Sequence, residues 1–139
     1  MVQIDIAYVG ELRCEATHAP SSCQLQTDAP VDNQGRGESF SPTDLLATAV
    51  GTCLLTIMGI VANKRGWDLG SATAQVEKHM LADPLRRVAK LTIKLRLTGD
   101  LGEAARTELV AAALSCPVTQ SISDKIELDL EWVWGSAAA

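Results

Sequence analysis

Residues 45–62 carry no charged side chain, and this stretch constrains the fold more than any other. It is entered through Ser41-Pro42-Thr43-Asp44. Ser41 suits an N-cap, Pro42 suits the first helical position, and Asp44 lies where its charge meets the helix dipole. Lys64 and Arg65 favour a C-terminal end, with Gly66 as the residue just past it. These signals predict one helix from the Ser41 cap to Arg65, about 35 Å long. A helix that is apolar all round is buried all round. A chain of 139 residues can hardly surround such a helix, so a second subunit is expected to cover part of it. Thr48, Gly51, Thr52 and Thr56 interrupt the stretch too often for a good membrane span.

The segments on either side alternate with a period of two and read as strands. Val2 to Val9, Glu11 to Thr17 and a run marked by Cys23, Leu25 and Thr27 form an opening meander, with Gly10 and His18-Ala19-Pro20-Ser21 as turns. Residues 28–40 are rich in Asp, Asn, Gly, Pro and Ser and form a loop. Beyond the helix, Ala72 to Leu81 and Val88 to Leu97 are the arms of a hairpin. Ala89, Leu91, Ile93, Leu95 and Leu97 are expected to face the core, and Val88, Lys90, Thr92, Lys94 and Arg96 to face away. Glu103 to Leu114 is an amphipathic helix that packs through Ala104, Leu109, Ala112 and Ala113. A short further helix is expected from Pro117 to Ile122. Ile126 to Trp134 is the last strand, and residues 135–139 read as a frayed tail. The order β-β-β-α-β-β-α-β is an α+β pattern in a single domain spanning residues 1–139.

Composition narrows the function. The net charge is -5 and the basic residues are scattered, which argues against a nucleic-acid partner that would need clustered cations. No basic amphipathic segment points to a membrane surface. The N-terminus lacks the charged and apolar regions of a signal peptide, so the expected location is cytoplasmic. The four cysteines, Cys14, Cys23, Cys53 and Cys116, include no CxxC pair and no Cys/His cluster. Neither a metal nor a cofactor is therefore expected. In a reducing compartment they are expected to be free.

Cys53 lies mid-helix, where the dipole gives a thiolate little help, so a lowered pKa would need a nearby cation. It reads either as a small buried hydrophobe or as a reactive thiol. Cys116 ends a helix before a proline, a half-exposed position suited to a mobile thiol or to a chance surface or interface cysteine. If the two helices pack together, one thiol could be oxidised to a sulfenic acid and the other could condense with it. Arg36, in Gly35-Arg36-Gly37, could fold over Cys53 as the cation or remain a solvated loop residue. Arg13 reads as a solvated charge. Cys14 and Cys23 read as packing residues, with a cross-strand contact left open. His18 and His79 form no catalytic arrangement.

Ser41 to Cys53 (SPTDLLATAVGTC) resembles the central helix of the OsmC/Ohr family, the osmotically inducible and organic hydroperoxide resistance proteins. Leu114-Ser115-Cys116-Pro117-Val118 resembles the family's second cysteine motif, and the likeness covers nearly the whole chain. The resemblance implies an OsmC-like fold in an intertwined homodimer, with the two central helices between two sheets. It implies a thiol peroxidase in which Cys53 attacks a small organic hydroperoxide and Cys116 resolves it. Arg36 is the closest match to the family's thiolate-binding arginine. The implied reductant is a dithiol, lipoyl-type in the Ohr branch. Classical members place a glutamate directly after the helix-starting proline, whereas this chain has Thr43 there and an acid, Asp44, one residue later. That departure sustains an alternative, a non-enzymatic dimer that binds a small hydrophobic ligand or senses redox state.

Overall fold

A computed structural model describes residues 1–135. Of the expected tail, residues 136–139 lie outside the described residues. The chain forms two compact units, Met1–Leu46 and Ala47–Ala139. The element order is β1 (Ile4–Gly10), β2 (Arg13–His18), β3 (Cys23–Asp28), a 3-10 turn (Val31–Asn33), α1 (Pro42–Arg65), β4 (Ala72–Leu81), β5 (Arg87–Leu97), α2 (Glu103–Leu114) and β6 (Glu127–Trp134). The expected α+β order is present, with one 3-10 turn added in the loop.

In the first unit β1, β2 and β3 form an antiparallel sheet. Paired residues share a face, so Ile6, Ala16 and Leu25 form one row and Tyr8, Cys14 and Thr27 the next. This is the apolar face read from the alternation. It is open in the chain, with Ile4, Ile6 and Tyr8 each more than half exposed. Cys23 pairs with His18 rather than with Cys14, and it is exposed. The register thus removes the cross-strand cysteine contact and takes Cys23 out of any packed position in the chain.

At the start of α1 the Ser41 hydroxyl accepts the Asp44 N–H (3.1 Å), and the Asp44 carboxylate accepts the Ser41 N–H (2.9 Å). Asp44 thus completes a reciprocal cap, which satisfies two backbone donors at once. At the other end Gly66 adopts a positive φ of 72°, and Trp67 donates its N–H to Ala62 O (2.9 Å), the closing bond of a Schellman motif.

In the second unit β5 lies centrally, antiparallel to β4 and parallel to β6. Its side chains Leu91, Ile93, Leu95 and Leu97 are fully buried. Val88 is buried too and Ala89 is not, the reverse of the alternation. A bulge between His79 and Met80 shifts the register there and moves the phase of the strand's first residues by one. The opposite face is a ladder of charges, with Lys90 opposite Glu127 and Lys94 opposite Glu131.

The α1 residues buried in the chain are Ala47, Val50, Gly51, Leu54, Met58 and Ala62, a single stripe. Gly51 lets the helix approach β4, because a Cβ there would lie 2.9 Å from Val76 Cγ2. The expectation of burial all round is not met within one chain, and Ile60 stays 44% exposed. By length and composition α1 could cross a membrane, a property it shares with core helices of soluble proteins. α2 buries Ala105, Leu109 and Ala113, every fourth residue, while Ala104 is exposed. The expected stripe was one position off at its start. An ion pair from Arg65 to Glu108 (2.8 Å) joins the two helices at their surface.

Candidate functional site: a thiol pair

Helix α1 carries Cys53 near its middle, and Cys116 follows α2 after Ser115, which caps that helix through its N–H. Pro117 disfavours a helical conformation at the residue before it, and so ends the helix. The expected helix from Pro117 to Ile122 is instead one turn, closed by Gln120 N–H to Cys116 O (3.1 Å) and Ile122 N–H to Val118 O (3.1 Å). Cys116 caps that turn with sulfur: its Sγ accepts the Thr119 N–H at 3.3 Å. The Thr119 hydroxyl lies 3.4 Å from the same sulfur.

This turn folds Cys116 inward. Its exposure is 0%, whereas Cys53 is half-buried. The order of accessibility is the reverse of that expected from the two positions, because the chain turns back toward α1 instead of leaving the surface. The two cysteines are free thiols, near enough for each to act on the ionisation of the other.

Their environments drive the two thiols apart. Burial pushes the Cys53 thiol up, and the neighbouring Cys116 adds to this against a hydrogen bond from the Val118 N–H. Burial also acts to raise Cys116. There it is outweighed by hydrogen bonds from the Thr119 hydroxyl, the Thr119 N–H, Cys53 and the Val118 N–H, which hold the thiol below its usual range. Such a pair can form a disulfide across α1 and the turn after α2.

The third expected residue, Arg36, belongs to the first unit. There it is 63% exposed, with Nη2 3.4 Å from Glu11 and Nη1 3.9 Å from Glu38. Arg13 is not the solvated charge expected of it. Its side chain is 22% exposed and Nη2 lies between Glu38 (2.6 Å) and Asp28 (3.4 Å). The Asp28 side chain is almost fully buried. The Glu38 N–H bound to its carboxylate holds that carboxyl below the usual range, and Arg13 helps against the cost of burial. Arg13 and Asp28 are direct cross-strand partners, so the polar phases of β2 and β3 carried the signal. Thr119 was also missed. Its signal was the spacing Cys-Pro-x-Thr, which places a hydroxyl and an amide one turn after the sulfur. Among the described residues no group of three or more His, Cys, Asp or Glu side chains could hold a metal.

Two neighbouring free thiols on an α+β frame define a dithiol protein. Comparison with known proteins gives its family. The model of the OsmC family, described as OsmC-like protein, matches residues 35–131, and the chain belongs to that family. It is 43% identical to a Psychrobacter arcticus protein provisionally described as an osmotic stress induced and detoxification response protein. That match covers 95% of this chain and 96% of the other, with a TM-score of 0.89. An organic hydroperoxide resistance protein OsmC of Legionella pneumophila shares the fold at 20% identity, covering 96% of each chain with a TM-score of 0.77. The organic hydroperoxide resistance protein OhrB of Bacillus subtilis does so at 16% identity, over 95% of this chain and 97% of the other, with a TM-score of 0.68. No curated protein matches the chain.

Proposed function

We propose that this protein is a thiol-dependent peroxidase that reduces small organic hydroperoxides. The observation that supports the reading is that the half-buried Cys53 and the buried Cys116 are both free and near enough to act on each other. Cys53 is the more accessible thiol and serves as the nucleophile. It attacks the outer peroxide oxygen, breaks the O–O bond and becomes a sulfenic acid while the alcohol leaves. Cys116 then attacks the Cys53 sulfur, and water leaves as the disulfide closes. A dithiol, of lipoyl type, returns both residues to thiols by exchange. The hydroperoxide resistance descriptions of the Legionella and Bacillus proteins support the substrate class.

The working form in this reading is a homodimer in the cytoplasm. A second copy covers the open apolar face of the β1-β2-β3 sheet and the sides of α1 that one chain leaves uncovered. Arg36 is assigned as the electrostatic partner of the Cys53 thiolate, on the strength of its place in the loop before α1. A cation is needed because burial raises the Cys53 thiol.

A second reading takes the protein as a dimer that binds a hydrophobic ligand or senses redox state without turnover. Thr43, in place of the family glutamate, and the raised Cys53 thiol favour it. The test is consumption of cumene hydroperoxide in the presence of dihydrolipoamide. The peroxidase reading expects turnover that Cys53→Ser abolishes and Cys116→Ser reduces to a single event. Consumption unchanged by Cys53→Ser would end it, and a parent protein without turnover would favour the second reading.

A further inference from the structure

The turn after Cys116 contains one hydroxyl with more partners than it can serve at once. Thr119 Oγ1 lies 2.9 Å from Cys116 O, 3.4 Å from Leu114 O and 3.4 Å from Cys116 Sγ. A hydroxyl has one hydrogen and two lone pairs. While Cys116 is a thiol, its S–H donates to Oγ1 and the hydroxyl hydrogen goes to a carbonyl. Once Cys116 is a thiolate it can only accept, and the hydroxyl must rotate to donate to sulfur. The Thr119 N–H, 3.3 Å from Sγ, serves both states. Cys116 is fully buried, so water cannot supply these bonds. Cys53 is the titratable group that acts on it.

We propose that Thr119 is a positioning residue for Cys116, holding the buried sulfur as the anionic member of the pair so that it takes the Cys53 proton during attack. The inference rests on the peroxidase reading. The reacting form of the pair is Cys53 S–H with Cys116 S⁻. As Cys53 attacks an organic hydroperoxide, its proton passes to Cys116 Sγ. The S–O bond forms, the O–O bond breaks, and the alkoxide that leaves takes the proton back from Cys116 and departs as alcohol. Cys53 is then a sulfenic acid, oxidised by two electrons, and Cys116 is again a thiolate. It attacks the Cys53 sulfur, the S–S bond forms and hydroxide leaves. One negative charge enters on sulfur and one leaves on hydroxide, so the sequence balances. Cys116 thus acts as base, acid and resolving thiol in turn, and the Thr119 hydroxyl follows its charge by rotating.

The first arm of the test needs no hydroperoxide. Thiolate absorbance near 240 nm is followed against pH, and the difference between Cys53→Ser and Cys53→Ser/Cys116→Ser isolates Cys116. Adding Thr119→Val keeps the shape and the N–H but deletes the hydroxyl. The midpoint is expected to rise by about one pH unit, the loss of one charge-assisted hydrogen bond, and Thr119→Ser to restore it. In the second arm, single-turnover consumption of cumene hydroperoxide is measured against pH. Its midpoint is expected to move with the Cys116 titration in Thr119→Val. At neutral pH disulfide closure should slow by about threefold, because a tenfold loss of thiolate is partly offset by the greater nucleophilicity of the more basic sulfur. An unmoved Cys116 midpoint in a folded Thr119→Val protein overturns the positioning role. A midpoint that moves while the rate profile stays fixed overturns the base role. A parent protein that consumes no hydroperoxide, yet whose Cys116 titration depends on Thr119, refutes the peroxidase reading and with it the proton path, but leaves the hold on the sulfur standing.

Discussion

Gly51→Ala sets two opposing effects against each other at the centre of the second unit. Alanine in place of a helical glycine stabilises by about 1 kcal/mol, through backbone entropy in the unfolded chain. Here the new Cβ would lie 2.9 Å from Val76 Cγ2, well inside an ordinary carbon–carbon contact of about 3.5–4.0 Å. Helix α1 and β4 must separate, or Val76 must leave its rotamer, at a cost of about 1–3 kcal/mol. The net expectation is a loss of up to about 2 kcal/mol. Urea denaturation at fixed protein concentration measures it, since any dimer makes the midpoint concentration-dependent. Val76→Ala removes the methyl that the new Cβ meets. In that background Gly51→Ala should turn neutral or stabilising, a coupling of about 1–3 kcal/mol in the double-mutant cycle. Because Cys53 lies on the same helix, separation of α1 from β4 should also slow disulfide closure. If Gly51→Ala alone stabilises by the full propensity gain, the packing of α1 on β4 described here is wrong.

Two further predictions concern the first unit. The Asp28 carboxyl is held below its usual range by the Glu38 N–H, with Arg13 assisting. The folded state therefore favours its charged form, so its contribution to stability is complete above the unfolded carboxyl's range and is lost as pH falls through the lower folded value. Asp28→Asn should destabilise at pH 7, and the gap from the parent should narrow below about pH 4, as urea denaturation at several pH values would show. Ile6→Lys puts a charge in the open apolar row with Ala16 and Leu25. If that face is the dimer contact, sedimentation equilibrium should show the mass shifting toward one chain, whereas an unchanged mass would remove this face from the interface.

Much of the frame was legible in the sequence because it rests on local signals. The Ser41 cap, the Lys64-Arg65-Gly66 ending and the strand alternations act within a few residues, and the observed elements begin and end close to them. What was not legible depends on distant partners. The bulge at His79 and Met80 exchanges Val88 for Ala89 in the core, and no alternation within β5 announces it. The direction taken after α2 decided the burial of Cys116, and Pro117 alone could not specify it. Arg13 was misjudged because a charge on the polar phase of a strand looks solvated until its partner, Asp28, is in register. The nearness of Cys53 to Cys116 could be stated in advance only as a condition on how the helices pack.

The most direct test treats the fully reduced protein with one equivalent of cumene hydroperoxide, quenches free thiols and maps the disulfides by mass spectrometry. The account predicts rapid loss of the peroxide and a Cys53–Cys116 bond within one polypeptide, with Cys14 and Cys23 still alkylated. Peroxide left intact with all four thiols alkylated, or a bond that joins Cys53 to any other cysteine, would contradict it.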